Sequence, residues 1–253
     1  MSKVALACNG LVALGVSGTV AGRAGPSVVA RRLSVFGTRA VAVGDGGLSG
    51  GDGILVNAGA DLTLDPELRS DAMRGLGSQL LGNARAGTLA SSAARLRLSG
   101  ARVAFNRGPG VFVQDSASAL QLGYNWFQQN RGLAVGVTST GSIAEIVCNT
   151  FTETIPARLR TNLGELDVAD GVSVAGSVDS PLTFAVAENI VSQNPRFGML
   201  FTGPMTVMLR QSSGTVARNG FPIGAYSGAV IQGVGYNPAA QPRAVPGRAE
   251  GAF

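Results

Sequence analysis

The chain has no histidine, and that absence excludes more chemistry than any other feature of its composition. Without imidazole there is no Ser-His-Asp or Cys-His nucleophile, no histidine zinc site and no histidine general base. Lysine occurs once, as Lys3, so the other basic residues behind the net charge of +5 are all arginine. They are scattered, with Arg31 and Arg32 the only adjacent pair, which is the pattern of solvating charge and does not single out nucleic acid as a partner. No apolar run approaches the roughly 18 residues that a membrane-spanning helix needs. Met1 to Cys8 is too short for a signal peptide, and Asn9-Gly10 interrupts it.

What the chain has instead is glycine, 37 residues of it, and 45% hydrophobic residues against only 14% charged. That balance favours many short strands joined by tight turns over helices. The apolar residues also repeat. Leu122 has Leu98 before it and Ile146 after it, each 24 residues away, and Phe127 has Val103 and Phe151 at the same offsets. Asn125 is matched by Asn149 and Asn130 by Asn106. The template is φ-x-x-N-x-φ-x-x-N, with φ apolar. A period in the twenties that keeps its apolar positions in register is the mark of a solenoid, in which each unit buries its apolar face on its neighbours.

Taken from the start, Leu6, Asn9 and Leu11 fit the template, and Cys8 then falls where Cys148 falls. Cysteines about six rungs apart are too distant to pair, so both read as buried or half-buried free thiols. Ala30, Leu33, Val35 and Thr38 form the next copy. A chain that opens inside a repeat has no cap for that end, which implies upstream polypeptide, a partner copy or another segment over it. Gly44 to Gly53 reads as a turn with a weak calcium-binding flavour from its two aspartates, and Pro66 to Arg74 as one or two helical turns. Leu76, Gln79, Leu81 and Ala84 resume the template, the register between 44 and 75 being open. After Phe151 the next copy, Val186, Asn189, Val191 and Asn194, arrives 40 residues on instead of 24, which marks an insert at about 154–180. Leu209, Ser212, Val216 and Asn219 form a last copy. The Pro-, Ala- and Arg-rich residues 237–253 read as a disordered tail after a domain at 1–236.

Positions two apart in a strand point the same way, so Leu98, Leu122 and Ile146 stack as one core column and Val103, Phe127 and Phe151 as another. A buried amide both donates and accepts, so stacked asparagines satisfy one another. The spacing predicts such ladders at Asn106, Asn125, Asn130, Asn149, Asn189 and Asn194. The expected fold is all-β: a right-handed parallel β-helix, or β-solenoid, of about eight to ten rungs. Copies such as Leu122-x-x-Asn125-x-Phe127-x-x-Asn130-x-Gly132-Leu133 resemble the repeats of the pectate-lyase-like superfamily. That superfamily includes polysaccharide lyases, glycosidases, tailspikes, adhesins and periplasmic proteins. The resemblance implies carbohydrate as the ligand class and an extracellular or cell-envelope setting, and it leaves activity open.

No catalytic pair stands out. Glu165 and Asp167, carboxylates two residues apart, lie inside the insert and on no expected strand. Paired-carboxylate chemistry needs two carboxyls held roughly 5–9.5 Å apart on a rigid surface. Binding has better candidates. Arg102 and Trp126, 24 residues apart, project outward on adjacent rungs, where the lone tryptophan beside a guanidinium suits a sugar ring. Phe105, Gln129, Glu153 and Gln193 form a second outward column, and Arg107 and Arg131 a third at a turn. The sequence therefore points to a non-catalytic scaffold or binding protein with polysaccharide as its ligand and no cofactor. A lyase or glycoside hydrolase is the alternative, and an apolar lateral face would mark a homo-oligomer.

Overall fold

The computed structural model describes residues 4–7, 10, 12–18, 25–42, 48–65, 77–114, 118–138, 142–161, 164–179, 181–210 and 215–234. Within them the chain is a coil of strands without a helix. The first rung is β1 (Val4–Ala7), β2 (Val12–Ser17) and β3 (Ser27–Ala30). The second runs through β4 (Leu33–Phe36), a hairpin of β5 (Ala40–Ala42) and β6 (Leu48–Gly50), then β7 (Asp52–Asn57) and β8 (Asp61–Leu64). The third is β9 (Gln79–Leu81), β10 (Thr88–Ala90) and β11 (Arg95–Ser99), and the fourth β12 (Arg102–Ala104), β13 (Val111–Gln114) and β14 (Ala119–Gly123). The fifth is β15 (Trp126–Gln128), β16 (Leu133–Thr138) and β17 (Ser142–Val147). The sixth begins with β18 (Thr150–Thr152), leaves through a hairpin of β19 (Ala157–Thr161) and β20 (Gly164–Val168), and returns as β21 (Asp170–Ala175) and β22 (Leu182–Ala187). The seventh is β23 (Ile190–Ser192), β24 (Phe197–Thr202) and β25 (Met205–Arg210), and the eighth β26 (Thr215–Ala217), β27 (Phe221–Tyr226) and β28 (Ala229–Val234).

Strands in the same place on successive rungs pair in parallel, giving three eight-stranded sheets. The first sheet begins at β1 and ends at β26, the second runs from β2 to β27, and the third from β3 to β28. This is a parallel β-helix of eight rungs. The expected columns are its core: Leu98, Leu122 and Ile146 are directly paired, as are Val103, Phe127 and Phe151. All six are buried, and the Phe127 and Phe151 rings stack 5.0 Å apart.

Between the columns run two amide ladders. In one, Asn125 donates to Oδ1 of Asn149 at 3.0 Å, and Asn149 to that of Asn189 at 3.1 Å. In the other, Asn83 donates to Asn106 and Asn106 to Asn130, both at 2.8 Å, and further along Asn194 donates to Asn219 at 2.9 Å. Asn106, Asn125, Asn149 and Asn194 spend their second hydrogen on a backbone carbonyl of the preceding rung, and Asn130 donates to that of Val103 at 2.8 Å. Pairing both hydrogens is what permits such amides in a core. Gly87 and Gly110 pack against the second ladder. A Cβ on Gly110 would sit 2.6 Å from the carbonyl oxygen of Ala134 and 2.9 Å from the Asn130 amide.

Two register expectations fail. The third rung was expected to use Gln79, Leu81 and Ala84, but Val103 pairs with Leu80, and Ser78, Leu80 and Asn83 are the inward residues. With Leu80 and Leu81 adjacent, either satisfies an apolar position. A slip of one residue swaps the faces of a strand, and the Asn83–Asn106 bond decides it. At the start, Leu6 pairs with Val35 and so belongs to the column of Phe127, not that of Leu122. The template contains φ-x-x-N twice, and Leu6 to Asn9 matches both halves. Cys8, Asn9, Leu11, Leu76, Ser212, the 66–74 segment and the 237–253 tail lie outside the described residues.

The 40-residue step is explained by the β19–β20 hairpin, after which the chain is back in the second sheet at β21. Glu165 and Asp167 are therefore not in irregular chain. They lie on β20, with their backbones opposite Arg160 and Arg158 of β19. Thr154 stays in the coil, buried and bonded to the Asn194 amide.

Both hairpins leave at the same corner, four rungs apart, and both return through Asp-Gly. Asp52 and Asp170 are fully buried, and each takes a two-pronged grip from an arginine of the next rung. Arg85 Nε reaches Asp52 at 2.8 Å and Arg196 Nε reaches Asp170 at 2.7 Å, with a second bond from each Nη2. The amides of Ala86 and Phe197 donate to the same carboxylates at 3.1 Å. Of the expected Gly44 to Gly53 turn, Leu48–Gly50 is a hairpin strand and Asp52 is held in a structural ion pair with both carboxylate oxygens engaged, while residues 44–47 lie outside the described residues.

Candidate functional site

The outer face of the first sheet carries the predicted binding residues. Its strands are only three residues long on most rungs, and a left-handed residue closes the strand on rungs four to seven. Phe105, Gln129, Glu153 and Gln193 occupy these positions with φ near +50 to +60°. Each amide there donates to a carbonyl of the following rung, for example Gln129 to Thr152 at 3.2 Å. The left-handed bend turns these side chains out beside the strand, next to the outward residues of β12, β15 and β18.

Arg102 and Trp126 pair directly across β12 and β15. The guanidinium carbon of Arg102 lies 4.8 Å from the centre of the Trp126 ring and 5.7 Å from that of Phe105. Among the described residues Arg102 has no ion pair, and its Nε is buried without a hydrogen-bond partner. Stacking on the two rings holds it in place, together with a long bond from Nη2 to Gln128 Oε1 at 3.4 Å. Gln128 passes the contact on, donating to Glu153 Oε2 at 3.2 Å, and Gln129 donates to the same oxygen at 2.9 Å.

The structure thus joins all four predicted binding residues, Arg102, Trp126, Gln129 and Glu153, in one patch over rungs four to six. Gln128 is the member that sequence reasoning missed. It lies two residues after Trp126 and hence on the same face of the strand, which was signal enough to find it. Beyond it, Thr152 and Ser192 continue the polar row with their hydroxyls 3.3 Å apart. Arg107 and Arg131 stand exposed around the corner, one rung apart. Cys148 is a free, half-buried thiol at another left-handed corner.

Chemically the patch offers one indole, one exposed phenyl ring, one unneutralised guanidinium, two amides and one carboxylate. Elsewhere, Glu145 accepts from Gln121 at 3.0 Å and Asp167 pairs with Arg158 at 3.4 Å. Asp65 accepts the backbone amides of Arg32 and Ser78, each at 2.6 Å. Burial pushes the Asp170 carboxyl above the usual carboxylate range, with Arg196 pulling the other way, and the hydrogen bond to Asp52 raises Arg85 further. Among the described residues no three Asp, Glu, Cys or His side chains come close enough to hold a metal ion. No helix there is long and apolar enough to cross a membrane.

Comparison with protein-family models, with curated proteins and with solved structures finds no match to this chain.

Proposed function

We propose that this β-helix is a non-catalytic binding module of the cell envelope or extracellular space, which holds a polysaccharide on the outer face of its first sheet. The observation that carries the reading is the Arg102–Trp126 pair joined through Gln128 to Glu153 and Gln129. An aromatic ring meets the C–H face of a sugar, while planar amides and a carboxylate match hydroxyl groups that both donate and accept. These groups are fixed on a rigid sheet, so little side-chain freedom remains to be lost on binding. The resemblance of the repeat to the pectate-lyase-like superfamily supports the same ligand class.

The carboxylates support binding over cleavage. Those of Asp52, Asp65, Glu145, Asp167 and Asp170 are engaged by arginine, glutamine or backbone partners, and in the patch Glu153 is already held by two amides. The test is retention on immobilised polysaccharides of differing charge, with assays for new reducing and unsaturated ends in the same samples. The reading predicts retention that falls at least about tenfold in affinity on Trp126→Ala, with no new ends. Release of ends that is lost on changing Glu165 or Asp167 would establish a lyase or hydrolase instead.

A further inference from the structure

The outer face of the second sheet differs in character from the other two. Along its central outward column run Leu55, Leu89 and Phe112 on rungs two to four, then Gly136 and Ser173 on rungs five and six. Leu200 follows on rung seven and Gly224 on rung eight. The next outward column holds only small or uncharged residues, among them Asn57, Gln114, Thr138, Thr202 and Tyr226. Neither column has a charged residue on the described strands. By contrast, the first sheet presents Arg102, and the third presents Asp61, Arg95, Arg97 and Glu145.

We propose that this uncharged face is covered by a second copy of the same chain. Charge is the first argument. A protein of net charge +5 that pairs with itself sets like charges against each other on faces bearing arginines, and among the described strands this face carries none. Area is the second. Eight strands of up to six residues make a face of at most about 34 by 20 Å, or about 680 Å², at the lower end of the roughly 600–1,000 Å² that each partner contributes to a stable interface.

Shape is the third. Leu133 and the Phe112 ring lean over Gly136, and the dent beside them is lined by Phe112, Leu133, Gly136, Thr138 and Ser173. A two-fold axis lying in the contact plane and running along the strands, just short of rung five, reverses the rung order of the partner. It brings each Phe112 against the other copy's Gly136–Ser173 dip. The same surface then serves both copies, as a closed two-fold contact requires. The sugar-binding patch, on a different sheet, stays open.

Sedimentation of the full 253-residue chain from nanomolar to submillimolar concentration tests this directly. A monomer–dimer equilibrium is expected, and Phe112→Glu or Leu89→Lys should weaken it at least about 30-fold. Gln121→Lys, on the third sheet, should leave it unchanged. Circular dichroism establishes that each variant folds. Hydroxyl-radical footprinting of the parent needs no variant, and it should show Phe112, Leu89 and Tyr226 becoming protected as the dimer forms. A parent that is monomeric throughout overturns the proposal, whether or not the face is protected. So does a dimer that leaves those three side chains reactive or survives both charge insertions.

Discussion

The side chain of Asn125 donates one hydrogen to Oδ1 of Asn149 at 3.0 Å and the other to the carbonyl of Leu98 at 2.9 Å. One amide thereby ties together the rungs on either side of it, and Asn149 does the same with Asn189 and Leu122. Removing the Asn149 side chain strands the backbone N–H of Asn125 and one of its amide hydrogens, and takes a donor from the carbonyl of Leu122, while Oδ1 of Asn189 keeps the backbone N–H of residue 149. Asn149→Ala is expected to destabilise by about 1–3 kcal/mol. Urea denaturation measures it, and a midpoint equal to the parent's would mean that water replaces the ladder at no cost.

The ion pairs behind the hairpins behave differently. Asp170 is fully buried and Arg196 is 22% exposed, so Arg196→Met leaves a carboxylate buried without its partner. The expected cost is about 3–5 kcal/mol, larger than for any exposed pair such as Arg158 with Asp167.

The same carboxyl sets a pH dependence. Burial raises the Asp170 pKa in the folded state, so the native chain holds this proton more tightly than the unfolded one. Its contribution to stability is full below the ordinary carboxylate value of about 4 and is lost as pH rises through the raised folded value. Relative to Asp170→Asn, the parent should therefore lose stability from about pH 4 upward. A parent that gains on the variant over that range would show that the arginine outweighs burial.

Glycine substitutions separate close packing from mere smallness. Gly110→Ala puts a methyl into the Ala134 carbonyl and the Asn130 amide and should cost about 1–3 kcal/mol. Gly15 has nothing within 4 Å of its would-be Cβ and no left-handed backbone, so Gly15→Ala should be neutral or slightly stabilising. Thermal melts of the two variants decide it.

The sequence made the core columns and most of the ladder legible because stacking repeats the same chemistry at nearly equal spacing. Leu98, Leu122 and Ile146, or Asn125 and Asn149, cannot differ much and still stack. Legibility failed where the pattern was degenerate, at Leu80 beside Leu81 and at Leu6, which fits either half of the template. It failed again where backbone conformation carries no residue signature. The left-handed corners are held by glycine on rung three, Gly82 and Gly100, but by Phe105, Tyr124, Gln129 and Cys148 on later rungs. The Asp52–Arg85 and Asp170–Arg196 pairs lie 33 and 26 residues apart, distances set by hairpin and rung lengths that no single repeat reveals. In the proposed site, rung spacing alone placed Arg102 against Trp126, while the bridge through Gln128 needed side-chain positions.

Trp126 is the one tryptophan in the chain, and it lies at the centre of the proposed site, so its fluorescence reports on that site alone. Titration with neutral and acidic polysaccharides, followed by tryptophan emission, is the most direct measurement of the central claim. The account predicts a saturable change in emission with at least one of them, weakened at least about tenfold by Gln129→Ala, with chain length of the polysaccharide unchanged. Emission indifferent to every polysaccharide, or a ligand that shortens during the titration, would contradict it.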